Sequence, residues 1–329
     1  MDNFLDLLKI AASVITAVCT AFTSLTFGNH SVLTRPDDAR LTAALIADTH
    51  MTDSFFRKMI FKPGLKDMSK RVNPDLFVCA GDSTDNGNEQ NWEAFKEMLD
   101  KYLTVENKII TLGNHDTWMD YDSDHEYGPV KELYLKYANQ IMGTDFDSIY
   151  FTREINGYSF IILGPEDTRV SETISGEQIA WLGKAMKEAA EKSQGKPIFV
   201  INHNPFNFTH GIGDNENRNG FNSNEECNAV REILDSYENV IYISGHTHFG
   251  LDAEGSKEAP GFTTVEKVGN NITSINLPCY EYGSFVTGGD DFFGPGIVMT
   301  VFDDRIELQG RNFLLGVNLE DFFVTVPLT

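Results

Sequence analysis

An α/β architecture, with helices layered on β-sheets, is predicted by three features of the 329-residue sequence. Short apolar runs alternate with stretches of helical periodicity. Most of those runs end in polar clusters of Asp, Asn and His. Strand signals then crowd together near the carboxyl terminus, where helical periodicity stops.

Taken in order, LTAALIA (41–47) leads into Asp48-Thr49-His50, and DLFVCA (75–80) leads into Gly81-Asp82. KIITL (108–112) leads into Gly113-Asn114-His115-Asp116. PIFVIN (197–202) precedes His203, and NVIYIS (239–244) precedes Gly245-His246-Thr247-His248. Each run has a short apolar centre that is mostly β-branched or aromatic, as in buried strands. The clusters fall at the carboxyl ends of these strands, the edge where open α/β sheets place ligands.

Helices fill the gaps. Residues 91–102 carry Trp92, Phe95, Met98, Leu99 and Tyr102 at helical spacing. Residues 177–192 repeat the pattern with Ile179, Trp181, Leu182 and Met186, capped by Ser175. A third helix is predicted over 225–237, and Asp53 is expected to begin one after the first strand. From Thr263 onward, NITSINLP, GIVMTVFDD, RIELQGRNF and FFVTVP predict an antiparallel addition to the sheet.

An apolar share of 41% and a charged share of 23% fit a soluble globular enzyme. The net charge of -23 argues against a long nucleic-acid partner, since gripping that backbone takes a basic patch. The longest basic clusters are the dipeptides Arg57-Lys58 and Lys70-Arg71. An acidic protein acting on an anionic ester needs local positive charge, and bound metal ions supply it. Cys19, Cys79, Cys227 and Cys279 show no CxxC spacing, so neither a zinc knuckle nor a disulfide scaffold follows.

Residues 10–27 run without a charge for 18 positions, the lower edge for a membrane span. Two readings stay open: a signal-anchor or export signal, or a helix packed on the body. The acidic segment MDNFLDLLK before it is unlike a secretory leader. The expected division is an amino-terminal helix and linker over 1–35 and one catalytic domain over 36–329. Membrane association would run through residues 4–27, placing the protein at a membrane or outside the cell.

Singly, these clusters prove little; together, five strand ends bring carboxylate, amide and imidazole donors and use five of the eight histidines. Such donors suit borderline ions such as Mn, Fe and Zn. Two cations about 3.5–4 Å apart can hold a phosphoryl oxygen and an attacking water.

In order and spacing, Asp48-x-His50, Gly81-Asp82, Gly113-Asn114-His115-Asp116, His203 and Gly245-His246-x-His248 resemble the calcineurin-like metallophosphoesterases. The resemblance spans about residues 41–250 and implies a four-layer αββα sandwich, two central mixed β-sheets flanked by helices. It further implies that Asp48, His50 and His248 bind one metal ion, that Asn114, His203 and His246 bind the second, and that Asp82 bridges the pair. His115 would meet the substrate phosphate or protonate the leaving oxygen, with Asp116 holding its other ring nitrogen. The implied function is hydrolysis of a small phosphodiester such as a cyclic nucleotide, or of a phosphomonoester, by a metal-bound hydroxide. The alternative is a non-catalytic scaffold on the same fold, a reading weakened by the presence of all seven donors.

Other polar residues have plainer readings. Asp85 supports the loop below Asp82 or simply forms a turn. His125, in an acidic stretch, is expected to be solvated. Phe206, Phe208 and His210 begin a long polar segment and are candidates to line the substrate cleft.

Overall fold

The computed structural model describes residues 31–119, 126–212, 220–252, 263–281 and 293–329. The expected amino-terminal helix, including residues 4–27, lies outside the described residues, as does His125. Among the described residues, no helix is long and apolar enough to cross a membrane.

Two six-stranded mixed sheets pack face to face between helices, the expected αββα sandwich. The first sheet contains β1 (Leu41–Ile46), β2 (Leu76–Cys79), β3 (Asn107–Ile110), β10 (Pro295–Val301), β11 (Arg305–Asn312) and β12 (Val317–Pro327). Its order is β12-β11-β10-β1-β2-β3, with β1, β2 and β3 parallel and the last three strands antiparallel. The second sheet contains β4 (Phe151–Ile155), β5 (Tyr158–Ile162), β6 (Ile198–Ile201), β7 (Val240–Ser244), β8 (Val265–Val268) and β9 (Ile272–Asn276). There the order is β4-β5-β6-β7-β9-β8, and β5, β6, β7 and β9 run parallel.

Helices α1 (Phe55–Asp67), α2 (Glu89–Tyr102) and α3 (Tyr127–Met142) pack in series, with α3 against β3. Helices α4 (Gly176–Ser193) and α5 (Asn224–Asp235) pack together, with α4 against β5 and β6. Side-chain oxygens of Ser54, Asn88, Ser175 and Ser223 cap α1, α2, α4 and α5 by accepting from a backbone N–H three residues on. The first helix thus starts from Ser54, while Asp53 pairs with Lys58.

Strand alternation sorts the second sheet into two cores. Phe160, Ile162, Phe199, Ile201, Ile241 and Ile243 point inward and pack with Val78, Leu45 and Ile297 of the first sheet. Their neighbours Ile161, Val200 and Tyr242 point outward to Leu182, Met186, Val230 and Leu234. A period of two on a sheet buried on both faces produces this division.

The structure adds elements that no strand-end cluster marks. β4 and β5 form a hairpin closed by Asn156-Gly157, both at positive φ (52° and 75°), as a two-residue type I′ turn requires. Helix α3 is the other addition. The carboxy-terminal strands are also not a single antiparallel extension: β8 and β9 join the second sheet, and β9 runs parallel to β7. Period-two patterning is the same in either direction, so the sequence did not reveal it. Residues 31–35, expected as linker, are tied down in part by Arg311, which binds the Ser31 carbonyl and hydroxyl.

Candidate metal centre

The parallel strands of both sheets end along one edge, where their following loops meet. Backbone bonds knit the first two loops together: Asp48 N–H donates to Gly81 O and His50 N–H to Asp82 O, at 3.1 and 3.0 Å. Gly81 has no room for a side chain, since a Cβ would lie 2.3 Å from the His203 ring, and its φ is +86°. A Cβ on Gly113 would fall 2.3 Å from the backbone nitrogen and Oδ1 of Asp82. Gly81 therefore permits close approach of the two sheets at His203, and Gly113 the close approach of two loops of the first sheet.

All seven expected donors meet in this space. Asp48, His50, Asp82 and His248 offer ligand atoms within 4.8 Å of one another, and so do Asp82, His203 and His246. Asp82 belongs to both groups. His50 Nε2 and His248 Nε2 are 3.1 Å apart, and His248 Nε2 is 3.2 Å from Asp48 Oδ1. Asp82 Oδ2 lies 3.2 Å from His203 Nε2. Asn114 Oδ1 is 2.8 Å from His246 Nδ1, which is 3.3 Å from His203 Nε2.

Asp48, His50, Asp82, His246 and His248 all sit at positive φ, between 41° and 74°. Such conformations are uncommon outside glycine and cost about 1–3 kcal/mol each where they are strained, as they often are at functional sites. Five of seven in one place indicate a geometry set by the donors' convergence rather than by local preference.

Asp48 and Asp82 are buried, with no Lys or Arg among their described ion pairs. Burial opposes ionisation of Asp82, but His203 and His115 outweigh it and hold its carboxyl well below the usual range. Burial likewise disfavours charge on His203, yet Asp82 and Asp48 push its pKa up to about 10. This field calls for positive charge between the donors. Burial holds His50 well below its ordinary value, leaving it neutral and able to coordinate. His203 Nδ1–H donates to the Ala80 carbonyl at 2.8 Å, which turns Nε2 toward Asp82. The donor set therefore fits a pair of borderline metal ions.

His115 borders the donors. Its backbone N–H donates to Asp82 Oδ1 at 2.8 Å, and its ring lies 4.4 Å from that of His50 and 4.1 Å from that of Trp118. The expected role of Asp116 requires correction. His115 Nδ1 donates instead to the backbone carbonyl of Asp85, at 2.8 Å. The Asp116 carboxylate accepts from Ser83 N–H, Thr84 N–H, Thr84 Oγ1 and Gly113 N–H. It staples the loop after β2 to the loop after β3, and those four donors leave the His115 ring to another acceptor.

Asp85 accordingly supports the site rather than only a turn; its Oδ1 is 4.0 Å from both His50 Nδ1 and Arg57 Nη2. Arg57 also pairs with buried Glu281, whose N–H donates to Asp48 O. Neither residue carried a motif signal, since Arg57 lies on a helix and Glu281 on an irregular segment after β9. Phe206 and His210 are not cleft residues. Phe206 stacks on Tyr242 in the outer core, and His210 is locked between Thr263 O and Ser274 Oγ, both at 2.7 Å. Phe208 is exposed.

The family model described as calcineurin-like phosphoesterase matches residues 41–250. The chain is 26% identical over 219 residues to the "Probable glycerophosphodiester phosphodiesterase GpdQ" of Arcobacter nitrofigilis, covering 62% of this chain and 70% of that protein. Among solved structures, GAP50, "the anchor in the inner membrane complex of Plasmodium", superposes with a TM-score of 0.54 at 14% identity, covering 88% of this chain and 89% of that one. At that identity the likeness speaks for the fold.

Proposed function

This chain belongs to the calcineurin-like phosphoesterase family and is a metal-dependent phosphoester hydrolase, and from that premise we propose that it cleaves small phosphodiesters at a two-metal centre. Asp48, His50, Asp82 and His248 would hold one ion, and Asp82, Asn114, His203 and His246 the other. The observation that carries this reading is the membership of Asp82 in both donor groups, because one shared carboxylate keeps two repelling cations together.

When bound, the ions supply charge neutralisation for the phosphoryl oxygens and a nucleophile at neutral pH. The chain's own residues do the rest. Asp116 holds the two loops that present Asp82 and Asn114. His115 is fixed by its backbone bond to Asp82 and by Nδ1 on the Asp85 carbonyl, so Nε2 is the nitrogen that serves the leaving oxygen. Proton donation there is worth about 10²–10⁴-fold in rate.

A diester is favoured over a monoester by the printed name of the Arcobacter nitrofigilis relative. Charge points the same way: a diester carries one negative charge rather than up to two toward a protein of net charge -23. The test supplies the apoprotein with Mn, Fe or Zn in turn and compares bis(p-nitrophenyl) phosphate, p-nitrophenyl phosphate and cyclic nucleotides. Higher kcat/KM on diesters is expected. Faster monoester turnover would make the protein a phosphatase, and two bound ions with no turnover of any ester would favour the scaffold.

A further inference from the structure

A sulfur atom also approaches the candidate metal centre, beside the seven oxygen and nitrogen donors. The Cys279 side chain is fully buried, and its Sγ lies within 4.8 Å of ligand nitrogens of His50 and His248, all three mutually within that span. Backbone contacts deliver it there. Ala47 and Cys279 form a parallel bridge, Tyr280 N–H donates to Ala47 O at 3.0 Å, and Glu281 N–H to Asp48 O at 3.2 Å. Residues 279–281 thus run beside the end of β1, and Sγ comes to 3.5 Å from the Asp48 carbonyl oxygen.

The two imidazoles therefore belong to two donor sets, one with the carboxylates of Asp48 and Asp82 and one with sulfur. Their Nε2 atoms are 3.1 Å apart. Two metal–nitrogen bonds of about 2.0–2.1 Å from a single ion span about 2.8–3.4 Å at octahedral to tetrahedral angles. Hard ions prefer the oxygen set, whereas thiolate selects softer ions.

We propose that Cys279 is a thiolate ligand for thiophilic divalent ions at the His50–His248 site, so that zinc, cobalt or cadmium takes sulfur with the two imidazoles while manganese takes the imidazoles with the carboxylates and no sulfur. The inference rests on His50 and His248 being metal ligands. On binding, the S–H bond breaks, the proton passes to solvent and the sulfur lone pair forms the metal–sulfur bond. No electron transfer is involved.

The test uses the full chain stripped of metal and titrated with cobalt(II) alone. Visible ligand-field bands report binding, and a near-ultraviolet sulfur-to-cobalt charge-transfer band reports the thiolate. Wild type is expected to show both. Cys279→Ser should keep the visible bands and lose the charge-transfer band, whereas Cys79→Ser should keep both. The preference for cadmium over manganese should fall by about tenfold or more in Cys279→Ser. X-ray absorption of the zinc-loaded wild type gives an answer that needs no variant, with sulfur expected at about 2.3 Å. Cobalt binding without a charge-transfer band, an unchanged band in Cys279→Ser, or no sulfur around zinc would overturn the proposal. Failure of the underlying metal-centre reading looks different: cobalt stoichiometry would then be unaffected by Asp82→Asn.

Discussion

The imidazole of His203, at the end of β6 in the second sheet, donates its Nδ1 proton to the carbonyl oxygen of Ala80, at the end of β2 in the first, across 2.8 Å. One hydrogen bond thus joins the two sheets at the metal centre and aims Nε2 at Asp82, 3.2 Å away. That contact ties a donor of the second sheet to the strand end that carries Asp82.

Because Asp82 serves both donor groups, Asp82→Ala should lower affinity for both ions by more than about 100-fold. His203→Ala should weaken one and leave the other largely bound. Metal content after dialysis, with circular dichroism as a check on folding, separates the two outcomes. Equal retention of both metals by the Asp82 variant would remove the bridge from the mechanism.

His115 belongs to neither of the two donor groups that share Asp82. His115→Ala should keep the full metal complement while kcat falls about 10²–10⁴-fold, with the deficit smallest for substrates whose leaving group needs no proton. Steady-state kinetics on a nitrophenyl diester and an alkyl diester would show this. A uniform loss across both leaving groups would deny His115 the proton-transfer role.

Glu172, behind the His203 side of the candidate site, supplies a pH dependence of stability. It is buried beside Asn202, with the charges of Asp167 and Glu226 nearby, and its carboxyl is pushed up to about 8, chiefly by burial. Between pH 4.5 and 8 the folded state keeps a proton that the unfolded state has released. Stability is therefore greatest at the acid end and declines as pH rises, by a few kcal/mol at pH 8. Glu172→Gln should flatten that slope, gaining stability over wild type at pH 8 but not at pH 5. Thermal melts across this range would read it, and parallel slopes in the two proteins would refute it.

Asp67 and Arg311 form a buried pair with contacts of 2.6 and 2.9 Å, joining α1 to β11. Asp67→Ala would strand the guanidinium, and denaturant unfolding should show a loss of about 3–5 kcal/mol. Replacing both residues with apolar ones should recover most of it. A single-variant cost below about 1 kcal/mol would mean that Ser31 and Asn318 suffice to hold Arg311.

Much of the fold was legible because its strands are short, apolar and followed by distinctive polar clusters. β1, β2, β3, β6 and β7 were all readable in that way. The β4–β5 turn is also written in the sequence, in Asn156-Gly157, but the polar centre of β4, Thr152-Arg153-Glu154, hides the first strand of the hairpin. The direction of β9 was not written there at all. Glu281, Arg57 and Cys279 left no trace in spacing, since they reach the centre from an irregular segment and a helix.

What the sequence determined by itself was the donor inventory and its order along the strands, because residue type and strand-end position are local properties. Tertiary structure alone decided which acceptor orients each ring, why Asp116 braces loops instead of His115, and that a buried thiol lies beside two of the imidazoles. Those partners come from segments 30 to more than 200 residues apart, and no pattern within a single segment encodes a contact that exists only after both sheets have packed.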